Sequence, residues 1–79
     1  MNGYVQVQRN SAEWDQMWAG LRDVFQCEFG DCWQEVFYAA QYMGRDMDGK
    51  GHCFRIKEVE LPPPYGNVGR KYYVIPDGR

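Results

Sequence analysis

The 79-residue chain contains no threonine, one serine and one histidine, so the side chains that most often carry nucleophilic and acid–base chemistry are nearly missing. Ser11 lies where a helix begins. His52 is followed directly by Cys53, and neighbouring residues of a strand point to opposite faces, which separates the one candidate base from its candidate nucleophile. No catalytic residue is expected. Three cysteines are an odd number, which argues against a complete disulfide framework and for a reducing cytoplasm. No stretch approaches the ~18 apolar residues of a membrane span, and the opening MNGYVQVQRN lacks the apolar core of a signal peptide. No membrane partner is therefore expected.

Metal and phosphate motifs are also thin. Cys27, Cys32, His52 and Cys53 are the only set with zinc-ligand chemistry, but C-x4-C followed by an adjacent His-Cys pair does not deliver two close-spaced donor pairs. Asp46-x-Asp48-x-Lys50 resembles the start of a calcium loop, yet Lys50 replaces the third oxygen donor and Lys57 the bidentate glutamate. Gly44, Gly49 and Lys50 fail as a phosphate loop because Gly51 stands where Ser or Thr must hold magnesium. No metal and no cofactor are expected.

What the chain has in plenty is aromatic surface: four Phe, three Trp and six Tyr. Each such side chain can bury roughly 150–250 Å², enough to seed one core in a chain long enough for one domain. The expected domain is therefore 1–79, with residues 76–79 as a frayed tail. The net charge of −2 divides unevenly. Residues 1–48 sum to −5 and residues 49–79 to +3, so the halves can attract each other or present different faces to partners.

Tyr4 to Arg9 alternates in the manner of a half-buried strand, with Val5 and Val7 on one side. Asn10 with Glu13 fits a helix-starting capping box. Trp14, Met17, Trp18, Leu21, Val24 and Phe25 then mark one face of a helix over about Ala12–Gln26. Gly20 at the edge of that stripe suggests close approach of a neighbouring backbone. Gly30 supplies a corner, Asp31 with Gln34 a second capping box, and Trp33, Val36, Phe37, Ala40 and Met43 a second helical stripe ending at Gly44. Residues 45–51 read as a polar loop. His52–Leu61 reads as a strand with a bulge near Lys57 or Glu58, and Lys71–Ile75 as the last strand. The sequence thus predicts a small α+β domain in the order β-α-α-β-β. A helical hairpin should pack on one face of a three-stranded, mainly antiparallel sheet, with the first strand joining an edge of the last hairpin.

At 100° per residue, Asp31, Glu35, Tyr38 and Tyr42 fall opposite the Trp33 stripe of the second helix, with Asp23 on the outward side of the first helix and Asp15 nearby. Acids beside outward tyrosines have the composition of a protein-binding surface. The alternative is that the Pro62–Tyr65 segment covers both tyrosines. The expected role is a non-catalytic module whose acidic face docks on and occludes a basic partner-protein surface; a surface that normally holds nucleic acid fits the charge. Small inhibitors that phages and mobile elements direct at host machinery, anti-CRISPR proteins included, share this general character. A rival reading places single-stranded nucleic acid on Arg55, Lys57, Arg70 and Lys71, beside Tyr72 and Tyr73. The acidic balance of the whole chain and the absence of the aromatic motif of the common RNA-binding sheet weigh against it. The sequence sets no oligomeric state.

Overall fold

The computed structural model describes residues 4–46 and 51–76. The chain runs β1 (Tyr4–Val5), α1 (Ala12–Phe29), a 3-10 turn (Gly30–Cys32), α2 (Trp33–Tyr38), β2 (Ala40–Asp46), β3 (His52–Ile56), β4 (Val59–Glu60), β5 (Asn67–Val68) and β6 (Tyr72–Ile75). The main sheet has the order β1-β2-β3-β6 and is antiparallel throughout, while β4 and β5 form a separate two-stranded ladder. This is an α+β domain, with the helices packed on one face of the sheet.

The helix pair forms for the reasons its stripe suggests, with shifted ends. Ser11, not Asn10, caps α1: its hydroxyl accepts the Trp14 N–H at 3.1 Å, while Asn10 takes a left-handed φ of 65° that no helix start allows. Met17, Leu21, Phe25 and Phe29 are the buried stripe, so the helix runs one turn past Gln26, and Val24 lies outside the stripe at 38% exposure. Gly30, at φ 55°, makes the corner. Asp31 falls inside the 3-10 turn and caps nothing, because α2 starts from Cys32 without a side-chain cap. At Gly20 the close neighbour is a side chain: an added Cβ would meet Ile75 Cγ2 at 2.9 Å.

The largest departure is at Ala40–Met43. The second helix stops at Tyr38, and the chain continues as β2 between β1 and β3. Trp33, Val36, Phe37 and Ala40 fit a helical period, but Ala40 and Tyr42 also fit the alternation of a strand. Pairing decides between them. Ala40 and Tyr42 lie opposite Ile56 and Phe54, two wholly buried residues of β3, and a bulge between Tyr42 and Gly44 resets the register. β1 therefore joins β2, and not the β3/β6 hairpin, which forms antiparallel with a long connection. The expected shift near Lys57 is where β3 ends, and Val59–Glu60 passes to the second ladder. Of the expected polar loop, Arg45 and Asp46 close β2 and residues 47–50 lie outside the described residues, as do residues 77–79 of the expected tail.

Met17, Leu21, Phe25, Phe29, Val36, Phe54, Ile56, Leu61, Val68 and Ile75 make one buried core. Tyr73 closes it between Phe25 (5.0 Å between ring centres) and Glu28, whose carboxylate accepts the phenol proton. Burial first, and then the Glu28 carboxylate, push the Tyr73 pKa upward. Folding then holds the proton more tightly than the unfolded chain does, so the stability that Tyr73 contributes is fully present below about pH 10, the ordinary tyrosine range, and is lost as pH rises above it. Urea midpoints at pH 9 and pH 11 should show that fall, and Tyr73→Phe should flatten it. An equal fall in the variant would show that Tyr73 is not its source.

Candidate functional site

The helices and β2 do not meet flush. Trp14 and Trp18 project from α1, Phe37 and Tyr38 from α2, and between them the opposing positions on the helix and strand are Ala19 and Ala40. Large side chains set against two alanines leave a gap. The result is an open groove of about 560 Å³ lined by Trp14, Asp15, Trp18, Ala19, Arg22, Phe37, Tyr38 and Ala40. A second recess of about 540 Å³ continues it along β2 past Gln6, Val7, Arg9, Gln41 and Tyr42, sharing Trp14, Trp18 and Ala40 with the first.

The walls are held by aromatic packing. Trp18 stands edge-on to Phe54 at 4.9 Å and to Phe37 at 5.4 Å, and Trp14 stands edge-on to Tyr42 at 5.5 Å. The Arg9 guanidinium lies over the Trp14 ring at 5.6 Å. Tyr42 is half-buried and continues inward to His52, its hydroxyl 3.4 Å from Nδ1, while Nε2 of the buried His52 faces Glu13 at 3.6 Å. Burial is the main cause that raises the Tyr42 pKa, partly offset by a hydrogen bond from the Val7 backbone. This chain of polar groups fixes the inner wall of the groove.

Tyr38 is the exposed member, with 81% of its surface in solvent. The Pro62–Tyr65 segment does not cover it. Tyr65 packs instead on Phe29 at 5.7 Å and beside Gly30. Asp31 and Glu35 are exposed on the 3-10 turn and α2, and Asp15 and Asp23 on α1. Tyr42 does not share their face: it belongs to β2 and to the inner wall of the groove. Asp15 lines the groove itself, whereas Asp23 stands beside Arg22 at 3.6 Å in a solvated pair.

The basic set is gathered elsewhere. Arg55, Lys57, Arg70 and Lys71 are all exposed, and the Ile56 backbone bonds both Arg70 and Lys71, which brings the four to one end of the β3/β6 pair. Arg55 lies opposite Tyr72, which is 66% exposed. The three cysteines are unpaired, and among the described residues no three His, Cys, Asp or Glu gather as a metal site. Among those residues, too, no helix is long and apolar enough to cross a membrane.

Sequence periodicity places Trp14 and Trp18 on the apolar face of the first helix and marks no groove there. The signal that could have marked them is the pair of alanines, Ala19 and Ala40, facing a run of indole and phenyl rings. Comparison with protein-family models, with curated proteins and with solved structures finds no match for this chain.

Proposed function

We propose that the chain is a non-catalytic protein-binding module, working in a reducing cytoplasm, that seats part of a partner protein in the Trp14/Trp18/Tyr38 groove and thereby occludes the partner's surface. One observation carries this reading: an open aromatic groove with a tyrosine at its rim that contributes little to the core. Tryptophan and tyrosine concentrate binding energy at interfaces because they bury much area with few rotors to freeze. The groove moves the binding centre from the outward face of α2 to the junction of α1, α2 and β2. Asp31, Glu35, Asp15 and Asp23 then serve as a rim around Tyr38 that speeds encounter with a basic partner surface. A block on host machinery by a phage or mobile element is one use of such a module.

Tyr38→Ala tests it. The variant should keep its thermal midpoint, because an exposed side chain without a hydrogen bond alters stability by no more than about 0.5 kcal/mol. Affinity capture from the source cell, run in parallel with the unaltered chain, should lose the specific partner. Capture of the same proteins by both forms, or of none by either, would count against the groove.

A further inference from the structure

The groove runs beside an open strand edge. Among the described residues β1 pairs with β2 only at Arg45 and Asp46: the chain leaves the edge after Val5, and the Gln6 side chain donates to the Met43 carbonyl at 2.8 Å. The remaining stretch, Ala40–Tyr42, has β3 on one side and the recess lined by Gln6, Val7 and Arg9 on the other.

The direction of its backbone groups follows from the ladder. Lys57 N–H bonds the Ala39 carbonyl, while the Ala39 N–H closes α2 on the Glu35 and Val36 carbonyls; the Ala39 C=O therefore faces β3, and Gln41, two residues on, directs both its N–H and its C=O there. Ile56, opposite Ala40, spends its N–H on Lys71 and its C=O on Arg70, on the far side of β3. Ala40 and Tyr42 must therefore direct their N–H and C=O groups away from β3 and into the recess. Among the described residues no backbone group meets them there.

We propose that this edge takes up an extended peptide segment of the partner by strand addition, in line with β1. This deepens the reading of the groove as a protein-binding site and rests on it. Backbone pairing with Ala40 and Tyr42 would supply register, and every second side chain would enter the Trp14/Trp18 groove. Those inward side chains should be apolar. The segment's flanks should carry carboxylates although the partner surface around it is basic, since Arg9 and Arg22 stand along the groove against the single acid Asp15, and the other acids lie on the rim outside it. A single extended chain suits the site better than a second copy of this one. The free edge is only three residues long and is bounded by the Gln6–Arg9 segment and the projecting Tyr38. The edge strand at the far side of the sheet, β6, follows the exposed charges Arg70 and Lys71, which disfavour pairing with another chain there.

The probe is a displayed library of random heptapeptides selected on the full-length chain, with the best binder synthesised and each of its amides N-methylated in turn. Methylation at alternate positions should weaken binding about 5- to 10-fold per lost bond, with the intervening positions near neutral. Amide exchange at Ala40 and Tyr42 should slow in the complex, and Tyr38→Ala should weaken the same peptide. Failure to select any peptide would overturn the proposal, as would sensitivity to methylation without alternation. Unchanged exchange at Ala40 and Tyr42, or a self-associated dimer that protects both amides and competes with the peptide, would overturn it too. A peptide that loses affinity on Tyr38→Ala but shows no alternation leaves the groove reading standing and removes strand addition alone.

Discussion

Phe54→Ala should remove a quarter or more of the domain's stability, about 3–5 kcal/mol. Phe54 is wholly buried in the central strand β3, and its ring meets Trp18 at 4.9 Å and Tyr42 at 5.3 Å. Its position ties the core to the groove: Trp18 and Tyr42 are groove walls, and Phe54 is the ring on which both lean. Removing a fully buried phenyl costs about 3–5 kcal/mol, because the transfer free energy is lost and the surrounding rings cannot close the cavity. The total stability of a chain this short is on the order of 4–12 kcal/mol. Urea denaturation followed by tryptophan fluorescence should show the loss, with the three indoles as reporters. A midpoint close to that of the unaltered chain would mean that the rings close around the void, and the rigid wall ascribed to the groove would then be wrong.

Gly51→Ala should be comparably severe for a different reason. Gly51 has φ +142°, and a Cβ built there would stand 2.3 Å from the Ile75 carbonyl oxygen and 3.1 Å from the Pro76 Cα. The obstacle is backbone, which cannot swing aside as a side-chain tip would. The Gly51 carbonyl also accepts the Asp46 N–H at 2.9 Å, so moving Gly51 loosens the β2/β3 connection as well as the β6 edge. Backbone strain and overpacking together should cost about 3 kcal/mol or more. Gly66→Ala is the control. It has a positive φ of 69° with no atom within 4 Å of the added Cβ, and should cost only the intrinsic penalty of about 1–2 kcal/mol. Equal losses in the two variants, read from urea midpoints, would show that conformation alone and not contact with Ile75 decides at Gly51.

These two positions show what a one-dimensional reading reaches. The α+β class and the Met17, Leu21, Phe25 stripe follow from periodicity, which depends on residues close in sequence. The corner at Gly30 and the β3/β6 hairpin follow from turn chemistry and alternation. Ala40–Met43 was legible in two ways, because a short apolar stretch fits a helix as well as a strand, and its partner, Phe54–Ile56, is more than ten residues away. That one change carries Tyr42 from an outward helical face to the inside of a groove. The same cause hid the groove. It is made by what is small, Ala19 and Ala40, between large side chains from three elements, and no local pattern records a gap. The clash at Gly51 was equally invisible, since it depends on where Ile75 arrives.

Tyr38 was picked out by its position opposite the Trp33 stripe, and it is exposed. Its acidic neighbours Asp31 and Glu35 remain outward, while the cations Arg55, Lys57, Arg70 and Lys71 collect at one end of the β3/β6 pair. The two surfaces are thus made by different elements, and a single map can tell which one is used. That map is the set of amide and indole NMR shifts that change when the captured partner is titrated into the labelled chain. The groove account predicts changes concentrated at the Trp14 and Trp18 indoles, Tyr38 and Ala40, with Arg55, Lys57, Arg70 and Lys71 unmoved. Changes confined to those four cations and Tyr72 would contradict it.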